Sequence, residues 1–109
     1  MNDRLLSLLG LSRRAGKLVM GADPVVESMT KGKAFVVLIA SDFSKSSEKN
    51  ILKTSQSLGV KTYKINRTKE DLSVAIGKLA GVVALTDRGF SDKIQELILK
   101  EQEQEEIVL

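Results

Sequence analysis

Apolar positions along the chain switch repeatedly between a helical and a strand period. Leu5, Leu8 and Leu9, with Leu6 beside them, mark one face of a helix predicted from Asp3 to Arg14 and ended by Gly16. Leu18-Val19-Met20 reads as a short strand closed by Gly21. Asp23 followed by Pro24 predicts the second helix start, with Asp as N-cap and Pro at the first helical position, where its missing N–H had no partner to lose. Val25, Val26 and Met29 then face the core until Gly32. The run Ala34 to Ala40 is continuously apolar, the pattern of a central strand covered on both faces.

Ser44 is positioned to cap a third helix burying Ile51, Leu52 and Leu58, with Gly59 as its left-handed C-cap. Val60 to Ile65 reads as the third strand, and Thr68-Lys69-Glu70-Asp71 as the capping box of a fourth helix that carries Leu72, Ala75 and Ile76 and stops at Gly77. Val82 to Leu85 is the fourth strand. The turn Thr86-Asp87-Arg88-Gly89 leads into a last helix with Phe90, Ile94, Leu97 and Ile98 inside. Such alternation, with no linker and no internal repeat, predicts one α/β domain, a three-layer α-β-α sandwich on a four-stranded sheet. Its expected extent is residues 1–100, with 101–109 as an acidic C-terminal tail.

Composition narrows what this sandwich can do. The 109 residues are 42% hydrophobic and 28% charged, with neither cysteine nor histidine. Disulfides, thiolate nucleophiles, Cys/His zinc sites and the usual neutral-pH general base are therefore excluded. No cofactor and no metal is expected. No apolar run approaches bilayer length and the start Met-Asn-Asp-Arg does not resemble a signal peptide, so the expectation is a cytoplasmic protein with no membrane partner. The net charge of +3 is unevenly placed: Glu101, Glu103, Glu105 and Glu106 lie in the tail, which leaves 17 basic against 10 acidic side chains in residues 1–100. A basic body suits a polyanion, because phosphate neutralisation releases counterions; a merely solvated surface is the plainer alternative.

Catalysis finds little support. Ser41-Asp42 sits where α/β folds place ligands, beyond the carboxyl end of a strand, yet an Asp there, like Asp87, more often caps a loop or helix. No catalytic residue and no enzyme activity is expected. Nucleic-acid binding by base stacking needs exposed aromatics; Phe35, Phe43 and Phe90 flank apolar runs and are expected inside, which leaves Tyr63. Charge, backbone donors and shape would then have to suffice, and irregularly folded RNA offers features they can read. Arg13, Arg14, Lys17, Lys31 and Lys33 all lie near the start or end of the second helix in sequence, and the N-terminus of that helix favours anions.

Four blocks also carry a resemblance: Arg13-Arg14-Ala15-Gly16-Lys17-Leu18-Val19-Met20-Gly21, Leu38 to Ser44, Asp71 to Lys78, and Val82 to Phe90. In order and spacing they resemble the bacterial YlxQ proteins, small ribosomal-protein-like members of the kink-turn RNA-binding family that includes the archaeal large-subunit protein L-seven-Ae. The resemblance implies a mixed four-stranded sheet and binding to kink-turn or internal-loop RNA in a ribosomal or translation context. Its expected partners are structured RNA, ribosomal RNA included, and ribosomal or translation proteins, with the chain itself monomeric. Carried over by motif, the RNA surface would comprise Gly21, Ala22 and Asp23, then Lys31 and Lys33, then Lys78, Leu79, Ala80 and Gly81, with Arg14 and Lys17 adjoining. Gly21 would admit the RNA backbone closely, the lysines would meet phosphates, and Leu79 and Ala80 would pack on splayed nucleotides. The chain departs from the family motif Gly-x-Asn-Glu, followed by lysine, in having Asp23, Pro24 and Glu27. The alternative those departures leave open is a protein-interaction module on the same fold with RNA binding weakened or lost.

Overall fold

The structure, a computed structural model, describes residues 3–107, with side chains described through Gln104. Its elements are α1 (Arg4–Arg14), β1 (Leu18–Met20), α2 (Ala22–Thr30), β2 (Val36–Ile39), α3 (Lys45–Leu58), β3 (Lys61–Lys64), α4 (Lys69–Ile76), β4 (Val82–Leu85) and α5 (Arg88–Ile107). The strands form one mixed sheet in the order β1-β4-β2-β3. β2 and β3 run parallel, and β4 runs antiparallel to both β1 and β2.

The two central strands, Val-Val-Leu-Ile and Val-Val-Ala-Leu, bury every residue. Because side chains alternate along a strand, each strand serves both faces. Val36, Leu38, Val83 and Leu85 meet Leu5 and Leu9 of α1, Leu72 and Ile76 of α4, and Ile94 and Ile98 of α5. Val37, Ile39, Val82 and Ala84 meet Val25 and Met29 of α2 and Ile51 of α3. The expected three layers follow, with α1, α4 and α5 on one face and α2 and α3 on the other.

Helix termini follow their local chemistry. Asp3 accepts the Leu6 N–H at 3.0 Å, and Ser44 caps α3 through the Ser47 N–H. Thr68 and Asp71 close the capping box of α4 reciprocally. Gly59 and Gly77 take left-handed C-cap conformations at φ 70° and 74°. The start of α2 corrects the expectation. Its N-cap is Gly21, at φ 98°, and Asp23 and Pro24 lie inside the first turn. Proline fits there because the amides of a helix's first turn have no carbonyl partner within the helix. Leu58 is 48% exposed and Phe35 42% exposed, so neither joins the core, and β3 begins at Lys61. Leu58 is the last residue of α3 and Phe35 precedes the first residue of β2, so both stand at the margin of the layers.

Two contacts join distant segments. Gly10 of α1 packs so closely on α4 that a Cβ there would lie 2.8 Å from the Ala75 carbonyl oxygen. Arg67, in the loop before α4, donates through Nε to Asp3 at 2.7 Å and through Nη1 to Glu101 at 2.9 Å. Glu101, expected in a separate tail, instead belongs to α5 and is tied to the body.

Gly10→Ala is expected to destabilise the fold by about 1–3 kcal/mol, the usual range for overpacking, measurable by urea unfolding. The hydrogen bonds from Arg67, with help from the Leu6 N–H, hold the Asp3 carboxyl below its usual range. A carboxylate whose pKa falls on folding stabilises above its unfolded value near about 4 and loses that contribution as pH drops through the folded value. Asp3→Asn keeps a competent N-cap, so its melting temperature should lie below wild type at neutral pH and converge with it on acidification below about pH 4.

Candidate nucleic-acid interface

Every side chain of the central strands is spent on the core, so the strand ends and their loops are where the fold presents adaptable surface. Two ends must be distinguished. At one, β1, β2 and β3 finish and β4 begins; at the other, the reverse holds.

At the finishing end, the Gly21 N–H donates to the Val82 carbonyl at 2.9 Å and the Ala40 N–H to the Gly81 carbonyl at 2.8 Å. These bonds bring the Gly21-Ala22-Asp23 turn beside the loop Lys78 to Gly81. At φ 98° and ψ 156° Gly21 occupies backbone space that other residues rarely adopt, so the turn's own geometry demands glycine independently of any ligand. No side chain caps α2. Val25 donates to the Gly21 carbonyl and Pro24 has no N–H, so Ala22 and Asp23 supply the helix start's amides towards solvent. Both residues are exposed, as are Lys78 and, at 70%, Leu79.

The rest of the loop turns inward. Ala80 is 6% exposed and packs in the core, so its methyl is not offered to a nucleotide as the carry-over expected. Gly81 is buried because the Phe43 ring lies on its backbone: a Cβ there would come within 2.1 Å of that ring. Both shape the loop from beneath.

Lys31 and Lys33 are placed elsewhere. They follow α2, whose nine residues span about 13 Å, at the opposite end of the sheet from Gly21. Lys17 lies there too, its carbonyl accepting the Thr86 N–H at 3.0 Å. Lys31 is also engaged by Glu27 at 2.6 Å, and that contact holds the Glu27 carboxyl below its ordinary range. Arg14 lines a groove between α1 and α4 with Ser7, Gly10 and Val74. The basic residues neighbouring in sequence thus divide among separate surfaces. Arg13, named in the basic cluster but absent from the carried-over set, reaches within 3.5 Å of the point a Gly77 Cβ would occupy, beside the root of the Lys78 loop, a position set by the packing of α1 on α4.

Two of the residues weighed for catalysis, Asp42 and Asp87, have structural partners. Asp42 accepts the Lys69 N–H at 2.8 Å and Asp87 the Phe90 N–H at 2.9 Å, so each caps a helix. Among the described residues no cluster of three or more metal-ligating side chains occurs, and no helix is long and apolar enough to cross a membrane.

Fold and loop geometry define a small α-β-α sandwich on a four-stranded mixed sheet. The sequence pattern of the Ribosomal protein L7Ae/L30e/S12e/Gadd45 family matches residues 3–95, and the chain belongs to that family. It is 37% identical over 92 residues to the RNA-binding protein YlxQ of Bacillus subtilis, covering 84% of this chain and 91% of that protein. A Bacillus halodurans protein of unknown function superposes with a TM-score of 0.84 at 33% identity, over 89% of this chain and 98% of the other. The Giardia lamblia 15.5kD RNA binding protein shares the fold, with a TM-score of 0.70 at 21% identity over 92% of this chain and 89% of its own.

Gly81→Ala is expected to cost about 1–3 kcal/mol of stability, because the added methyl displaces the Phe43 ring. In a urea-unfolding double-mutant cycle with Phe43→Ala, the combined loss should fall short of the sum of the single losses.

Proposed function

We propose that this chain is a non-enzymatic protein that binds structured RNA, of the kink-turn or internal-loop kind, at the corner made by Gly21, Ala22, Asp23, Lys78 and Leu79. The observation that carries the reading is this corner itself. A helix start without a side-chain cap lies beside an exposed lysine and an exposed leucine, on a chain whose family and relatives are ribosomal and RNA-binding by name. Amides at a helix start favour phosphate, Lys78 adds an ammonium group, and Leu79 offers an apolar surface for an unstacked base. Arg13 extends the cationic rim towards Gly77. A ribosomal or translation setting, a cytoplasmic location and a monomeric chain complete the proposal.

Two observations bear on the motif departures. Asp23 accepts hydrogen bonds where asparagine would also donate, which narrows base readout. The Glu27 carboxylate is matched by Lys31 at 2.6 Å, so its repulsion of phosphate is weaker than the sequence position alone implies. The absence of an enzymatic role is supported by the helix-capping duties of Asp42 and Asp87. The protein-interaction reading is the competing outcome.

A labelled kink-turn RNA titrated by fluorescence anisotropy at about 50 and 200 mM salt tests the corner. Wild type should bind more weakly at the higher salt, and Lys78→Ala should lower the log–log slope by about one unit. Ala22→Glu adds a charge that the helix dipole tolerates at its first turn, so folding should persist while RNA affinity falls at least about tenfold, or roughly 1.4 kcal/mol. No binding by wild type at low salt, or equal binding by Ala22→Glu, overturns the placement.

A further inference from the structure

At the starting end of the sheet, the ends of α2 and α3 and the beginning of α5 border an open cleft of about 600 Å³. Met29, Phe35, Leu58 and Val60 supply its apolar wall. Phe35 is held at the rim by its own N–H, which donates to the Leu85 carbonyl at 2.9 Å, and its side chain stays 42% exposed. Leu58, which also lines the cleft, is 48% exposed. One exposed apolar side chain is ordinary; two facing the same cleft, one of them aromatic, form a surface.

The charge around that surface is cationic. Lys61 and Arg88 line it, and Lys33 stands between two lining residues, Gly32 and Ala34. Arg88 lies over the Phe35 ring, 5.6 Å from its centroid. Asp92 is the carboxylate among the lining residues. Lys17 and the Lys31–Glu27 pair stand at the same end. Tyr63, the aromatic that the sequence favoured for stacking, is half-buried against the core and donates its hydroxyl to Gln95 at 3.3 Å. The exposed aromatic is thus Phe35.

We propose that this cleft is a second nucleic-acid site, which takes one or two unpaired nucleotides of a single strand. A base stacks on the face of Phe35 opposite Arg88, its apolar edge rests on Leu58, and the flanking phosphates meet Lys61 and Arg88 at the cleft, with Lys33 beside it. Aromatic faces combined with a cationic groove are the recurring solution to single-strand binding without base-specific hydrogen bonds. An acidic peptide satisfies the cations but leaves the ring without a stacking partner, and a purely apolar partner leaves the cations uncompensated. This inference rests on the reading of the chain as an RNA-binding protein but uses the opposite end of the molecule. One continuous RNA could therefore lay a folded element on the Gly21 corner and an unpaired flank on Phe35.

A fluorescein-labelled uridine hexanucleotide, which cannot form a kink-turn, tests the cleft separately from the corner. Wild type should bind it at low salt, Phe35→Leu should weaken binding about tenfold, and Phe35→Tyr should retain it. Lys61→Ala should lower the slope of log affinity against log salt. Ala22→Glu should leave hexanucleotide binding unchanged while it weakens the kink-turn complex. In amide NMR spectra the hexanucleotide should shift Gly32 to Phe35 and Gly59 to Lys61 and spare Gly21 to Asp23. The proposal fails if wild type does not bind the hexanucleotide, or if Phe35→Leu binds it equally well, whatever the result with kink-turn RNA. It also fails if the hexanucleotide leaves those amides unmoved while an acidic peptide shifts them, or if Phe35→Leu changes the sedimentation of the free protein from dimer to monomer, since the cleft then belongs to a protein partner.

Discussion

Val36 to Ile39 and Val82 to Leu85 lie side by side in the middle of the sheet, and neither segment has a polar side chain with which to face water. Eight apolar residues pointing alternately up and down require cover on both sides at once, and that requirement organises the molecule. A single layer of helices would leave Val37, Ile39, Val82 and Ala84 hydrated, at roughly 1.5–3 kcal/mol for each larger side chain. The second layer, α2 and α3, answers this need. It also fixes how the sheet can be reached: with both faces closed, its strands are accessible only at the rims, where they hand over to helices.

The same logic distinguishes the two rims. At the finishing end the glycine turn before α2 and the loop before β4 meet through main-chain bonds, so exposed amides and a lysine stand together. At the starting end the chain brings together the ends of three helices, and these do not seal against one another, which leaves Phe35 and Leu58 half covered. Arg67 holds the start of α1 and the body of α5 against the loop that leads into α4. Its guanidinium, with its pKa raised by two carboxylate partners, remains charged throughout the accessible pH range.

The architecture was legible because its determinants are local. Continuous apolar runs, a Thr-to-Asp capping box and glycines after helices each act within a few residues, and each produced the expected element. The errors arose where tertiary geometry outweighs local preference. Asp23-Pro24 has the form of a helix start, but the glycine turn bonded to β4 begins the helix two residues earlier. Phe35 adjoins an apolar strand yet overhangs its end. The candidate site was half legible: the Gly21 turn and Lys78 loop do converge, whereas Lys31 and Lys33, close to Gly21 in sequence, are carried to the far rim by the length of α2. No periodicity records which rim a loop residue reaches. The contacts of Arg67 with Asp3 and Glu101, 64 and 34 positions away, leave no pattern in the sequence either.

The sheet's outer strands bear on how copies of this protein coexist at high concentration. β3 offers an unpaired row of backbone groups along only four residues, with exposed lysines at its two ends and half-buried side chains between them. A neighbouring strand that tried to extend the ladder would have to seat beside both ammonium groups, one of them already tethered to Glu48 at 3.1 Å. β1, at the other margin, is three residues long. Short margins and edge lysines are how natural sheets discourage edge-to-edge growth, so this protein's strand count is limited by its flanks as firmly as by its interior.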